Sequence, residues 1–170
     1  MLTLTIMRHG KAEPHHRADF ERELAPKGVL RSRLVAEMLA EAGVTWDCAV
    51  TSPAPRASQT ADTALDVMTS GLLPSYDRDI YDHADPTTLM SVVRRHAGGA
   101  RQVVVFGHNP GMSWLAQWLC PDFVDQLATS SAVVLDLEGA DWVDVSPGSA
   151  TLRLVCRHQD HPGAHLEDKP

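Results

Sequence analysis

The chain has 170 residues, enough for one domain with a sizeable core and too few for two comfortable ones. Its formal net charge of −7 argues against nucleic acid or an anionic membrane as the main partner, and its apolar runs fall far short of a membrane span. Cys48, Cys120 and Cys156 fit neither a disulfide framework nor metal-ligand spacing, and Arg8 and His9 interrupt the first apolar stretch too early for a signal peptide, so a reducing cytoplasm is the expected location.

Taken in chain order, Leu2–Met7 reads as a buried strand that ends in Arg8-His9-Gly10. A cation and an imidazole at a strand end are badly placed for packing and well placed for chemistry, and Gly10 is expected to let the backbone turn sharply. The stretch between Gly10 and Lys27 lacks clear periodicity and is long for a loop in a compact domain, a length typical of functional or disordered loops; it starts at the rim beside His9, in a position to cover the site. A helix follows over 28–42, with Leu30, Leu34, Val35, Met38, Leu39 and Ala42 on one face and Gly43 as its stop.

Cys48–Thr51 reads as a second strand, and Pro55–Met68 as a helix with Ala57, Ala61, Ala64, Leu65 and Met68 inward. A third helix starts at Asp85-Pro86, with Asp85 as cap and Pro86 in the first helical position. Gln102–Gly107 is the clearest strand, and its β-branched run predicts burial on both faces, as in a parallel sheet. A fourth helix is expected at Asn109-Pro110 with the same cap chemistry, burying Met112, Leu115, Ala116 and Leu119. Ala132–Leu137 and Ala150–Cys156 are the last strands. This order predicts a three-layer α/β/α sandwich with a mainly parallel sheet and one antiparallel strand. Residues 1–156 form one domain in this reading, and residues 157–170 a loose polar tail.

In open α/β sheets, ligands bind beyond the carboxyl ends of the strands. Three predicted strand ends carry residues suited to an anion: Arg8-His9-Gly10, then Thr51-Ser52-Pro53 followed by Arg56, then His108-Asn109-Pro110. Two arginines offer forked donors for phosphate oxygens. One neutral imidazole can attack phosphorus, and a second, protonated, can bind an equatorial oxygen. No Gly-rich loop with a lysine is present, and the pattern calls for neither a metal nor another cofactor. Each string alone is weak, since a strand-end histidine is more often a hydrogen-bonded structural residue. Their combination carries the reading.

With those motifs in view, the chain resembles the histidine phosphatase superfamily, the phosphoglycerate mutase-like fold, and within it the small SixA-type phosphohistidine phosphatases. The matching text is Ile6-Met7-Arg8-His9-Gly10, Thr51-Ser52-Pro53-Ala54-Pro55-Arg56-Ala57-Ser58-Gln59-Thr60 and Gly107-His108-Asn109-Pro110-Gly111. Leu24-Ala25-Pro26-Lys27-Gly28 and Thr129-Ser130-Ser131-Ala132 also fit. The resemblance implies that His9 is the phosphorylated nucleophile, that Arg8, Arg56 and His108 complete the phosphate pocket, and that Ser52 lines it. It also implies an acid after the third strand; Asp82 is the choice and Asp85, with its strong reading as a helix cap, the runner-up.

The implied substrate is a phosphate-bearing molecule, foremost a phosphohistidine protein such as a phosphotransfer domain. The alternatives are a small-molecule phosphoester, a non-catalytic phosphate-binding module and, more weakly, a mutase, whose family members carry larger insertions. His15, His16, His83, His158, His161 and His165 fit no zinc pattern and read as solvated loop residues, with His16 or His83 placed to border the pocket mouth. Trp114 and Trp118, four apart on one helix, read as packing residues, and the run from Asp19 to Glu23 as a solvated face.

Overall fold

The computed structural model describes residues 1–14, 18–68 and 71–165. Six strands form one sheet: β1 (Leu2–Arg8), β2 (Cys48–Thr51), β3 (Ser75–Tyr76), β4 (Gln102–Gly107), β5 (Ala132–Leu137) and β6 (Ala150–Cys156), in the spatial order β3-β2-β4-β1-β5-β6. The pairs β1·β4, β2·β4 and β2·β3 are parallel. Because β5 runs antiparallel to both β1 and β6, it alone opposes the other strands, as expected of a mainly parallel sheet with one reversed strand.

Five helices cover the sheet: α1 (Pro26–Glu41), α2 (Pro55–Met68), α3 (Asp79–Asp82), α4 (Pro86–Ala97) and α5 (Gly111–Leu119). Strand alternation divides the core into two halves. Leu4, Ile6, Val103 and Val105 pack toward Leu89, Val92 and Val93 of α4 and Leu115 and Leu119 of α5. Met7, Val104 and Phe106 pack on the opposite side, toward Val35 and Leu39 of α1 and Ala61 and Leu65 of α2. The three-layer α/β/α architecture follows from an apolar sheet that must be covered on both faces.

Helix α1 begins two residues before the expected position, with Pro26 in its first turn, and Gly43 follows it at φ +75°. Helix α5 begins at Gly111, so Pro110 stands just outside it; Asn109 Oδ1 still accepts from Ser113 N at 3.2 Å. Strand β3 and helix α3 were not foreseen, because two and four residues are too few to show a period. The segment expected to be a loose tail is in part ordered: His158–Asp160 forms a 3₁₀ turn against α1, and His161 Nε2 pairs with Glu37 Oε2 at 3.2 Å. Trp114 is 46 % exposed and so does not serve the core, whereas Trp118 packs against it.

Candidate active site

Sheet register brings the three strand ends together. Arg8 lies opposite Gly107 in the β1·β4 pair, and Thr51 lies opposite Phe106 in β2·β4. Because β4 runs between β1 and β2, His108 emerges between His9 and Ser52. The ladder continues past the strands: His9 N donates to Gly107 O at 2.9 Å and Ser52 N to Phe106 O at 3.1 Å. The rings of His9 and His108 are 5.1 Å apart, tilted by 55°.

His9 is buried, and its Nδ1 lies 2.7 Å from Gly10 O. A carbonyl oxygen only accepts, so Nδ1 carries the hydrogen and Nε2 keeps its lone pair. Burial, reinforced by the charges of Arg56, Arg8 and Arg22, pushes the His9 pKa down to about 4, against the pull of the Gly10 hydrogen bond. The imidazole is therefore neutral at pH 7, as a nucleophile requires.

Gly10 serves this placement by size. Its φ lies outside the left-handed region, so the sharp turn expected from the sequence is not its role. A Cβ there would stand 2.8 Å from Gly28 O and 2.8 Å from Ser32 Oγ. Gly10 N donates to Thr60 Oγ1 at 2.9 Å, which ties the end of β1 to α2. On the other side Ser130, at φ +63°, donates its N–H to His9 O at 3.0 Å, while Arg8 N donates to Ser131 O at 3.0 Å. The Thr129-Ser130-Ser131 stretch thus holds the backbone of the Arg8-His9 pair.

His108 Nε2 lies 2.8 Å from Ser52 Oγ, which also accepts from Ala54 N at 3.2 Å. Burial, with His9 and Arg56 nearby, pushes the His108 pKa down to about 3. The protonated form foreseen for this residue is therefore disfavoured. When the Ser52 hydroxyl donates to Nε2, the neutral ring carries its hydrogen on Nδ1 and is a donor without a charge. Ser52 accordingly touches the site through His108.

Arg8 Nη1 donates to Leu127 O at 3.0 Å, and Asn109 Nδ2 donates to the same oxygen at 2.7 Å. Both Arg56 terminal nitrogens are held by Asp19: Nη1 by its backbone oxygen at 2.7 Å and Nη2 by Oδ2 at 3.1 Å. Of the atoms around His9, the buried Arg8 Nε, Arg56 Nε and His108 Nδ1 have no hydrogen-bond partner among the described residues. Buried polar atoms without partners are rare in folded proteins, and such donors are suited to a bound acceptor. Two guanidinium N–H groups and an imidazole N–H ask for an anion with several acceptor oxygens.

Asp82 stands apart from this group. It lies on α3, and its half-exposed carboxylate meets Arg78 Nε at 3.3 Å. Its neighbour Tyr81 faces the site instead, with its ring 5.4 Å from that of His108. Asp85 caps α4, accepting from Thr88 N at 2.9 Å and Thr87 Oγ1 at 2.8 Å, and these bonds hold its pKa down to about 2. His83 sits 3.9 Å from both Asp79 Oδ1 and Asp85 Oδ1, while His15 and His16 lie outside the described residues. The sequence reading of Asp19 to Glu23 as a solvated face is corrected at Asp19, which bonds Arg56 and the Tyr81 hydroxyl, and Tyr81 was missed because it reads as one aromatic among several polar residues.

The model of the histidine phosphatase superfamily (branch 1) matches residues 4–83. The uncharacterized protein Rv1276c of Mycobacterium tuberculosis is 32% identical over 158 residues, which is 86% of this chain and 96% of that protein. The phosphohistidine phosphatase SixA of Escherichia coli is 30% identical over 133 residues, covering 75% of this chain and 80% of its own. The chain belongs to the histidine phosphatase superfamily. The structure of the protein histidine phosphatase SixA complexed with tungstate superposes with a TM-score of 0.77 at 24% identity, covering 94% of this chain and 99% of that one. The superfamily fold is therefore present across nearly the whole chain. Among the described residues, no helix is long and apolar enough to cross a membrane.

Proposed function

We propose that this chain is a phosphatase that works through a phosphohistidine on His9 and takes its phosphoryl group from a phosphohistidine protein. The observation that carries the reading is the set of buried, partnerless donors, Arg8 Nε, Arg56 Nε and His108 Nδ1, beside a neutral His9 whose Nε2 is free to attack. In the first step, Nε2 forms a bond to phosphorus and the bond from phosphorus to the leaving nitrogen or oxygen breaks. An imidazole whose other nitrogen is already protonated leaves neutral, an alkoxide takes its proton from the acid named below, and the three donors offset the charge on the equatorial oxygens. In the second step, water attacks the phosphorus of phospho-His9, the P–N bond breaks back onto Nε2, and inorganic phosphate leaves. Nothing in either step calls for a metal, so activity is expected without one.

The preference for a phosphohistidine protein draws on the E. coli relative that carries that activity in its name. It also draws on chemistry: an imidazole can leave with its other nitrogen protonated, so it needs less help from a carboxylic acid than an alkoxide does. Asp82 is proposed as the acid for ester substrates only, a role in which its carboxyl must leave Arg78 and carry the proton.

The test compares hydrolysis of a phosphohistidine-bearing phosphotransfer domain with a panel of small phosphoesters, in chelator. The protein substrate is expected to win, and His9→Ala is expected to abolish turnover of both while the fold persists. Full activity of His9→Ala sinks the mechanism; a faster small ester makes the chain a small-molecule phosphoesterase. Asp82→Asn is expected to slow esters by about 100-fold and to spare phosphohistidine. An ester rate unchanged in Asp82→Asn removes Asp82 from the chemistry.

A further inference from the structure

The segment before α1 meets the site at Arg56, through the carboxylate and backbone oxygen of Asp19 and the backbone oxygen of Arg22. Asp19 Oδ2 accepts from Arg56 Nη2 at 3.1 Å and from the Tyr81 hydroxyl at 2.9 Å. Its Oδ1 lies 3.4 Å from Arg22 Nη1, and its backbone oxygen accepts from Arg56 Nη1 at 2.7 Å. Arg56 in turn donates its backbone N–H to Arg22 O at 3.2 Å. Phe20 packs edge-on against Tyr81 with ring centroids 4.9 Å apart, and the Arg78 guanidinium lies 4.7 Å from the Phe20 ring and 5.3 Å from the Tyr81 ring. The Arg56 side chain is 6% exposed, and the only nitrogen of its guanidinium left without a partner is the buried Nε.

A guanidinium is a rigid planar fork, so fixing two of its nitrogens fixes where the third N–H points. From this geometry we infer that Asp19 is the positioning residue of the phosphate pocket: it engages the terminal nitrogens of Arg56 and so presents the Nε edge to the phosphoryl group, with Tyr81 tethering the carboxylate to α3. The inference rests on the reading of this site as a phosphoryl pocket. Three features favour positioning over competition with the ligand. The shortest contact to Arg56 comes from the Asp19 backbone, which a phosphate has no cause to displace. The carboxylate is held by Tyr81 and Arg22 as well as by Arg56. The Nε hydrogen remains for the ligand while every one of these contacts stands. The segment expected from the sequence to cover the rim thus acts through Arg56, and neither Asp19 nor Tyr81 need touch the reacting atoms.

Tungstate binding measured by calorimetry is the test, because it needs no turnover. Asp19→Ala is expected to weaken tungstate binding by roughly tenfold, the scale of a charge-assisted hydrogen bond. Asp19→Asn keeps an acceptor for Nη2 and is expected to fall between the two; it carries the comparison if Asp19→Ala fails to fold. In an Arg56→Ala background, Asp19→Ala is expected to cost nothing further, which a general structural role would not produce. Unchanged binding, tighter binding, or an equal loss in both backgrounds overturns the positioning role, and tighter binding makes Asp19 a competitor of the ligand. Aryl phosphate turnover that survives His9→Ala in a protein that binds tungstate overturns the nucleophile alone. Failure of the unmodified protein to bind tungstate removes the pocket and overturns both.

Discussion

A histidine nucleophile must be neutral, and burial holds His9 neutral as the proposed role requires. The same burial has a cost that titration reveals. In the unfolded chain His9 and His108 protonate near the ordinary value of 6.5, but in the folded protein they do so near 4 and 3. Between those values the unfolded state binds more protons than the folded state, so stability rises with pH through that window and is lost as pH falls. Unfolding free energy from denaturant melts is expected to be flat above about pH 7 and to drop by a few kcal/mol toward pH 4. In His108→Gln the slope between pH 7 and 5 is expected to be shallower. An unchanged slope would mean that His108 is not held neutral by its surroundings.

At the scale of elements, the site depends on how closely β1 approaches the start of α1. Gly10 and Gly28 make that approach possible: a Cβ on Gly28 would fall 2.3 Å from Lys11 O, and one on Gly10 would fall 2.7 Å from Leu24 Cδ1. Gly10→Ala must push α1 away or shift His9, and overpacking of this kind costs about 1–3 kcal/mol. The expected result is a lower denaturant midpoint with an unchanged m-value, together with slower turnover; a midpoint equal to that of the unmodified protein would show that the contact yields freely. Helix α3 shows the opposite case, an element defined by its ties. Asp77 Oδ2 meets His96 Nε2 at 2.7 Å and Arg95 Nε at 3.4 Å, and Asp77 Oδ1 accepts from Asp79 N at 3.0 Å. These bonds join the start of α3 to the last turn of α4 and so support Tyr81 beside His108.

Across the whole molecule, two layers of helix bury the sheet, and its carboxyl edge is left for the site. The segment after β6 extends the helical layer, since Gly163 lies within 3.5 Å of Leu34 Cδ2 if given a Cβ and His161 pairs with Glu37 of α1. Removal of residues from 158 onward is expected to lower the thermal midpoint by a few degrees, about 1 kcal/mol for a domain of this size, while aryl phosphate turnover persists. Loss of turnover with an unchanged midpoint would give this segment a role at the site instead.

The sequence by itself determined the fold class, the longer elements and which strand ends bring Arg8, His9, Arg56 and His108 to one edge of the sheet. Long apolar runs report burial without any partner being known, and a cation or imidazole directly after such a run stands out because burial disfavours it. Parallel strands then carry those residues to one edge whatever the details of packing. Only the tertiary structure decided which acidic side chain meets the pocket. Asp82 and Asp85 are near it in sequence yet are engaged by Arg78 and by the start of α4. Asp19 has no periodic signal around it, and it reaches Arg56 and Tyr81 across 37 and 62 residues of chain. A loop residue acquires its role from partners that other elements deliver, and no local pattern of residues encodes where those elements end.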